Sequence, residues 1–431
     1  MDSTLRFLKK FIPSRLFKMG QPIYHYLLSL TGAVIYRFPS RKIKVIAITG
    51  TKGKSSTVEL VSAILEEAGF KTSLAGTVRF KIDGLSKSNK YKMTIPGRFF
   101  VQKFLRDSVN AKCDYAILEM TSEGAKQFRH KFIAFDALLF TNLSPEHIES
   151  HGSYEKYVAA KLSIAKAVAK SSKPRKILVV NGDDAESSKF LAIDGLEKFT
   201  YSLEEAEPFV LGVEGSDFTY LGELIRVRLP GIFNISNILA AITFAKTQGI
   251  HLDVIKKALE KFKGILGRVE RISLDETNPL RTKQDFRLTV DYAHTPDSLQ
   301  KIYQVFQDGR RICVLGNTGG GRDTWKRPEM GKIADTLCDH IILTNEDPYD
   351  EDPEKIVNEM KKGITQKPVE IIMDRREAIH RAISLAETGD NVIITGKGTD
   401  PFIMGPRGSK IPWSDAEVAR EELAKVLAEK V

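Results

Sequence analysis

Apolar and polar positions along the chain follow two alternating periods. Short β-branched runs such as "KVIAITG", "DYAILEM", "FDALLFTNL" and "KILVVNGDD" predict buried strands, each running into polar residues. Between them, "SSTVELVSAILEEAGF" repeats its apolar positions at helical spacing and closes on Gly69, and "SYEKYVAAKLSIAKAVA" predicts a long helix. The stretch 224–229 looks like sheet, "NISNILAAITFAKTQG" like helix, and "FKGILGRVERI" like a linker into a second α/β unit. That unit holds "RLTVDYAH", "RICVLGNTGGG", "HIILTNEDPYD", "VEIIMD" and "NVIITGKGTD", each a strand ending in a polar or glycine-rich loop. Strands alternating with helices predict an α/β fold with mainly parallel sheets, whose ligands collect at the carboxyl ends of the strands. The expected division is an N-terminal segment 1–42, a central domain 43–267 and a C-terminal domain 268–431.

The N-terminal segment differs from the rest. Asp2 is the only acid before Glu59, while Arg6, Lys9, Lys10, Arg15 and Lys18 accumulate. An uncharged stretch from Met19 to Tyr36 follows, interrupted by Pro22 and Gly32. A spanning helix needs about 20 mostly apolar residues, and this stretch also carries Gln21, His25 and Ser29. A helix packed on the next domain is the preferred reading, and a basic helix lying at a membrane surface is the second.

Length and charge narrow the picture. A chain of 431 residues suits two or three domains, and a net charge of +10 suits anionic partners. No nucleic-acid-binding motif accompanies the charge, so nucleic acid is not expected as a partner. Cys113, Cys313 and Cys338 lack metal-site spacing, so neither zinc nor a disulfide is expected and a reducing cytoplasm is.

The most informative motif is Gly50-Thr51-Lys52-Gly53-Lys54-Ser55-Ser56, at the junction of a strand and a helix. Backbone N–H groups at such a junction favour phosphate. Lys54 would reach the transferring phosphate and Ser55 would hold magnesium. Ile48 stands where the general phosphate-loop pattern has its first glycine. The bland alternative is a glycine turn before a helix.

Together with the blocks that follow it, this loop resembles the Mur ligase family, MurE-like members in particular. "LEMTSEG", "FTNLSPEHIESHGSYEKYVAAK", "LPGIFNISNILAA", "GRVERI", "VDYAHTPDSL", "GNTGGGRDTWKRPEMG" and "GKGTD" fall in the family's order from about Lys44 to Arg420. The resemblance implies a P-loop-type central ATP-binding domain with a mainly parallel sheet and a C-terminal Rossmann-like α/β domain. It also implies an ATP-dependent, ADP-forming amide ligase that adds an amino acid to a peptidoglycan-precursor peptide through an acyl phosphate.

Residue by residue, the resemblance implies the following. Lys54, Glu119, His147 and Lys161 serve catalysis, with Ser55, Glu119, His147 and a carbamylated Lys161 as magnesium ligands. Asn234 and Asn237 reach adenine, and Arg268, Asp291, Tyr292 and His294 complete the nucleotide contacts. Thr94, Pro96, Thr121, Ser122, Arg322, Asp347, Tyr349, Gly396 and Asp400 meet the acceptor or the amino acid. Without the family, Lys161 would read as a solvated helical lysine and Asn234 as a helix cap.

Departures from the pattern matter too. Glu146 replaces an aspartate, Glu123 a histidine, and Tyr349 the arginine that grips the distal carboxylate of diaminopimelate. Tyrosine cannot supply that bidentate fork, so diaminopimelate is not expected; in the acidic surroundings Glu346, Asp347 and Asp350 suit a lysine or ornithine ammonium instead, while Glu351 and Asp352 read as a solvated acidic loop. The short segment before the first strand implies that the UDP-holding domain is absent or replaced. The acceptor is then a UDP-muramoyl dipeptide held less tightly, a lipid-linked or other peptide with the basic segment at the membrane, or one held with a partner subunit. Cyanophycin-type or folylpolyglutamate-type ligases, and a non-catalytic nucleotide-binding scaffold, are the rival functions.

Overall fold

The computed structural model describes residues 14–146, 148–321 and 323–430. His147 and Arg322, two of the expected site residues, lie outside the described residues.

The chain forms two compact units, one of Met1–Glu205 with Ser236–Leu259, the other of Ala206–Ile235 with Glu260–Val431. In the first unit, helix α1 (Ser14–Ile35) precedes strand β1 (Lys44–Thr49) and helix α2 (Lys54–Glu67). Strands β2 (Thr72–Ala75), β3 (Arg79–Ile82) and β4 (Leu85–Ser88) follow, then α3 (Arg98–Asn110), β5 (Tyr115–Glu119), the short α4 (Ser122–Lys126) and β6 (Ala137–Phe140). Helix α5 (Tyr154–Ala169), β7 (Ile177–Asn181) and β8 (Glu197–Tyr201) complete its sheet, in the order β4-β3-β2-β5-β1-β6-β7-β8. The six strands from β2 to β8 in that order run parallel, and β3 and β4 form an antiparallel edge. The central strands β1, β5, β6 and β7 are almost wholly buried because helices cover both faces. Helix α6 (Ile232–Thr247) supplies buried Ile238, Leu239 and Ile242.

The preferred reading of 19–36 agrees with the structure. Helix α1 packs on α3. Ser29 Oγ donates to the Phe128 carbonyl at 2.9 Å, Arg98 reaches His25 Nδ1 at 2.6 Å, and Arg106 donates to the Tyr36 carbonyl at 2.6 Å. No helix among the described residues is long and apolar enough to cross a membrane.

In the second unit, strands β9 (Phe209–Leu211), β10 (Ser216–Tyr220) and β11 (Glu223–Val227) form a small antiparallel sheet. The larger sheet has the order β12-β13-β17-β14-β15-β16. Its strands are β12 (Glu270–Arg271), β13 (Arg287–Asp291), β14 (Arg311–Leu315), β15 (His340–Leu343), β16 (Val369–Ile371) and β17 (Asn391–Thr395). All but β12 are parallel. Around it lie α7 (Pro296–Tyr303), α8 (Lys326–Leu337), α9 (Pro353–Lys361), α10 (Arg375–Ser384) and α11 (Asp415–Glu429), with a β18–β19 hairpin (Phe402–Met404, Lys410–Pro412). The α/β class and parallel sheets are as expected.

One expectation fails here. Cys313, on β14, and Cys338, capping α8, form a disulfide with Cα atoms 6.2 Å apart. The pair stands 25 residues apart in sequence and meets because α8 packs back onto its own strand. Cys113 is free and buried.

Candidate functional site

In the first unit the site is built on the loop joining β1 to α2. Gly53 caps α2 at φ 82°, and a Cβ there would sit 2.1 Å from Asn237 Oδ1. Only glycine suits that backbone and that contact. At Gly50 a Cβ would meet Thr141 Oγ1 at 1.9 Å. The loop is held from β6, where Thr141 Oγ1 donates to the Lys52 carbonyl at 2.7 Å and Asn142 Oδ1 accepts from the Lys52 amide at 2.9 Å. Thr51 shares a 2.8 Å hydrogen bond with the Tyr157 hydroxyl. Lys52 pairs with Glu146 at 2.9 Å. Lys54 Nζ donates to the Thr51 carbonyl at 2.8 Å, and Ser56 is buried in the first turn of α2.

Glu119 ends β5 beside this loop. Its Oε2 accepts from Ser55 Oγ at 3.1 Å and from the Thr77 amide at 2.8 Å, and its Oε1 accepts from Thr77 Oγ1 at 3.0 Å. Thr77 in turn bonds the Thr94 hydroxyl at 2.9 Å. Thr77 and Asn142 thus belong to the site, although sequence reasoning did not select them. Asn142 sat inside a recognised block. Thr77 carried no signal beyond its place after β2.

Lys161 projects from α5 and is 2% exposed, its Nζ 2.6 Å from the Gly50 carbonyl and 4.9 Å above the Tyr157 ring. Burial, then the nearby Lys54 charge, hold its pKa well below the usual lysine range. The solvated-lysine alternative does not describe it. The donors fit a small hard cation, because a carboxylate and a hydroxyl oxygen converge at the end of a phosphate-binding loop. Among the described residues, which do not include His147, no three His, Cys, Asp or Glu side chains gather as a metal site.

The acceptor candidates divide. Thr94 reaches the Glu119 network through Thr77. Pro96 stands just before α3 and is half-buried. Thr121 uses its hydroxyl to cap α4, accepting from the Gly124 amide at 3.0 Å. Ser122 Oγ is 3.1 Å from His151 Nε2, and burial lowers the pKa of that histidine.

In the second unit, Asn234 donates to the Pro230 carbonyl at 2.9 Å rather than capping a helix. Arg268 lies 4.3 Å over the Tyr292 ring, and His294 Nδ1 is 2.7 Å from the Tyr292 carbonyl. Both Asp291 oxygens accept backbone amides, from Val269 and Ala293 at 2.7 Å each. Burial raises its pKa.

The loop after β15 corrects the picture of a free acidic run. Asp347 is buried against Lys397 Nζ at 2.8 Å and accepts the Met404 amide at 2.7 Å. Glu351 is clamped by the fully buried Arg327, which brings its pKa to about 2. Asp352 caps α9, and Asp350 accepts the Arg407 amide at 2.6 Å. Glu346 accepts from Thr318 Oγ1 at 2.8 Å, while its Oε2 is buried without a partner, close over Gly396. Tyr349, at φ 53°, packs over Gly320, and Asp400 lies 3.5 Å from Lys397 Nζ. Lys397, between two glycines, is the organising cation that sequence reasoning left out.

Comparison with known proteins follows the same lines. The chain matches the Mur ligase middle domain over residues 48–245 and the Mur ligase glutamate ligase domain over residues 267–398. It is 35% identical over 411 residues to the UDP-N-acetylmuramoyl-L-alanyl-D-glutamate–2,6-diaminopimelate ligase of Syntrophomonas wolfei subsp. wolfei, a match covering 92% of this chain and 81% of that one. It is 36% identical over 423 residues to the UDP-N-acetylmuramyl-tripeptide synthetase of Roseiflexus sp., covering 92% and 81%. A solved structure of a UDP-N-acetylmuramoyl-L-alanyl-D-glutamate–2,6-diaminopimelate ligase is 27% identical with a TM-score of 0.60, covering 89% of this chain and 78% of that one.

Proposed function

The chain belongs to the Mur ligase family, and we propose a MurE-like enzyme whose phosphate loop, Glu119 and Lys161 form the phosphoryl-transfer centre. It is an ATP-dependent, ADP-forming ligase that adds an amino acid to a peptidoglycan-precursor peptide. The γ-phosphoryl group passes to an acceptor carboxylate, giving an acyl phosphate and ADP. The amino group of the incoming amino acid then displaces phosphate and leaves an amide. Such transfer depends on positioning and charge neutralisation rather than covalent catalysis by the protein.

The observation that carries the assignment of roles is the Ser55–Glu119 pair, 3.1 Å apart at the start of α2, with the buried Lys161 amine on the Gly50 carbonyl. Gly50 to Ser56 would cradle the phosphates, and Lys54 would swing from the Thr51 carbonyl to the transferring group. Ser55 and Glu119 would hold magnesium, which when bound neutralises phosphate charge and polarises the reacting oxygens. The depressed Lys161 pKa supports a carbamate, since only a neutral amine adds carbon dioxide, forming an N–C bond and releasing a proton. Asn237, Arg268, Asp291, Tyr292 and His294 are proposed for the nucleotide. Thr94, Ser122, Tyr349, Gly396 and Asp400 are proposed for the acceptor and amino acid, and cytoplasm for the site of action.

For the amino acid we propose a basic side chain in place of diaminopimelate, because Tyr349 lacks the guanidinium fork. The test is phosphate release from ATP with magnesium and UDP-muramoyl dipeptide across lysine, ornithine and diaminopimelate, with product masses. Turnover with lysine or ornithine is expected, and turnover with diaminopimelate alone would overturn the choice.

For helix α1 we propose contact with an anionic membrane surface. Ile23, Tyr24, Leu27, Val34 and Ile35 are exposed along one face, and the chain from Ser3 to Val58 carries no acid. Failure of the full chain to co-sediment with phosphatidylglycerol vesicles would remove this assignment, and self-association through Ile23 and Leu27 would point to a partner subunit instead.

A further inference from the structure

A cavity lies in the first unit at the end of its sheet opposite the phosphate loop. The phosphate loop follows the carboxyl end of β1. The cavity is lined by residues that precede β1 and β6, and by the C-terminal half of α5. Its volume is about 430 Å³. Arg41, Lys131, Lys166 and Lys170 line it, and no acid does. None of the four forms an ion pair among the described residues, and the Arg41 guanidinium rests 4.6 Å over the Phe38 ring. Four uncompensated cations around one cavity repel each other, an arrangement that an anion would relieve.

A second, independent feature sits in the same wall. His130 is 1% exposed, and both of its ring nitrogens lack a hydrogen-bond partner. Buried polar groups are nearly always satisfied, and leaving one unsatisfied is unfavourable.

We propose that this cavity is a binding site for a phosphate-bearing ligand, separate from the phosphate loop, with Arg41, Lys166 and Lys170 neutralising the charge and the adjoining His130 ring sensing its occupancy. Its size accommodates a diphosphate or a phosphorylated headgroup. Two sources share that chemistry, a soluble phosphate compound and an anionic lipid. The neighbouring helix α1 has an exposed apolar face, and its Tyr26 packs 5.0 Å from the cavity-lining Phe132.

The test uses the full chain with ADP and magnesium saturating the phosphate loop. Inorganic pyrophosphate is titrated while the His130 ring is followed by ¹H–¹⁵N correlation, and co-sedimentation with phosphatidylglycerol or phosphatidylcholine vesicles is measured in parallel. Lys166 and Lys170 are exposed, so the Lys166→Gln/Lys170→Gln variant should fold and turn over normally. A saturable His130 shift that weakens about tenfold or more in this variant is expected. With no vesicle binding, that result assigns a soluble ligand. Phosphatidylglycerol binding that the variant loses assigns a lipid headgroup. Absence of a response in both arms, or binding equal in wild type and variant, would overturn the proposal.

Discussion

Replacing His130 by phenylalanine should make the first unit less sensitive to acid. Burial, assisted by the Lys131 charge, lowers the His130 pKa from 6.5 to about 4. The folded state therefore prefers the neutral ring, and between those values the unfolded chain binds more protons. Stability from this group is complete above about pH 6.5 and falls as the pH drops toward 4. At pH 5, with values of 6.5 unfolded and about 4 folded, the loss is about 2 kcal/mol relative to pH 7.5. His25, also lowered to about 4, is only half-buried and adds a smaller share. The His130→Phe variant removes the larger share and leaves His25 as an internal control. Urea unfolding by far-UV circular dichroism at pH 7.5 and pH 5 measures both. Trp325 and Trp413 lie in the second unit, so fluorescence separates its transition from that of the first. Equal acid losses in wild type and variant would refute the reasoning.

Three further outcomes are expected. Gly53→Ala places a methyl 2.1 Å from Asn237 Oδ1 at φ 82° and should weaken ADP binding by tenfold or more, roughly; calorimetry showing unchanged affinity would contradict the assigned loop contact. Lys161→Ala should abolish turnover and remove a carbamate ¹³C signal seen after growth in labelled bicarbonate, whereas turnover at the wild-type rate would exclude the carbamate as a ligand. Asp415→Ala should destabilise the second unit by about 3–5 kcal/mol, because it strands the fully buried Arg375, bonded to Asp415 at 2.8 and 2.7 Å; Trp413, whose indole donates to Asp415 at 2.7 Å, reports the change, and a loss below about 1 kcal/mol would contradict it.

The legible parts of the sequence were those governed by local rules. Continuous apolar runs marked β1, β5 and β6, helical spacing marked α2 and α5, and the glycines at Gly50 and Gly53 marked a loop that tolerates no side chain. Long-range pairing was less accessible. Nothing near Thr77 announces that Glu119, 42 residues later, takes three of its hydrogen bonds from Thr77 and Ser55. The Asp347–Lys397 pair spans 50 residues and exists because β15 and β17 deliver both loops to one end of the sheet. The Cys313–Cys338 contact likewise depends on how α8 returns to β14. A run of acids reads as open charge until the structure shows which cations and amides already occupy it.

That occupation sharpens the proposed choice of amino acid. All five acids between Glu346 and Asp352 are bonded within the protein, Glu346 through Oε1 only, which leaves its Oε2 atom buried and unpartnered. A buried carboxylate oxygen without a donor is unfavourable. A ligand ammonium directed to it would relieve that deficit, whereas a second ligand carboxylate would add like charge in a low-dielectric setting. Tyr349 offers no guanidinium to offset such a charge. Diaminopimelate also carries a distal ammonium, so the unsatisfied acid favours a cationic group in either ligand, and it is the distal carboxylate that the missing fork and the like charge of Glu346 disfavour. Glu346→Gln separates them, because it removes the charge while leaving Tyr349 in place. If the acid makes the selection, the variant should lose its preference for lysine or ornithine mainly through KM. A preference unchanged in Glu346→Gln would leave Tyr349 alone to account for it.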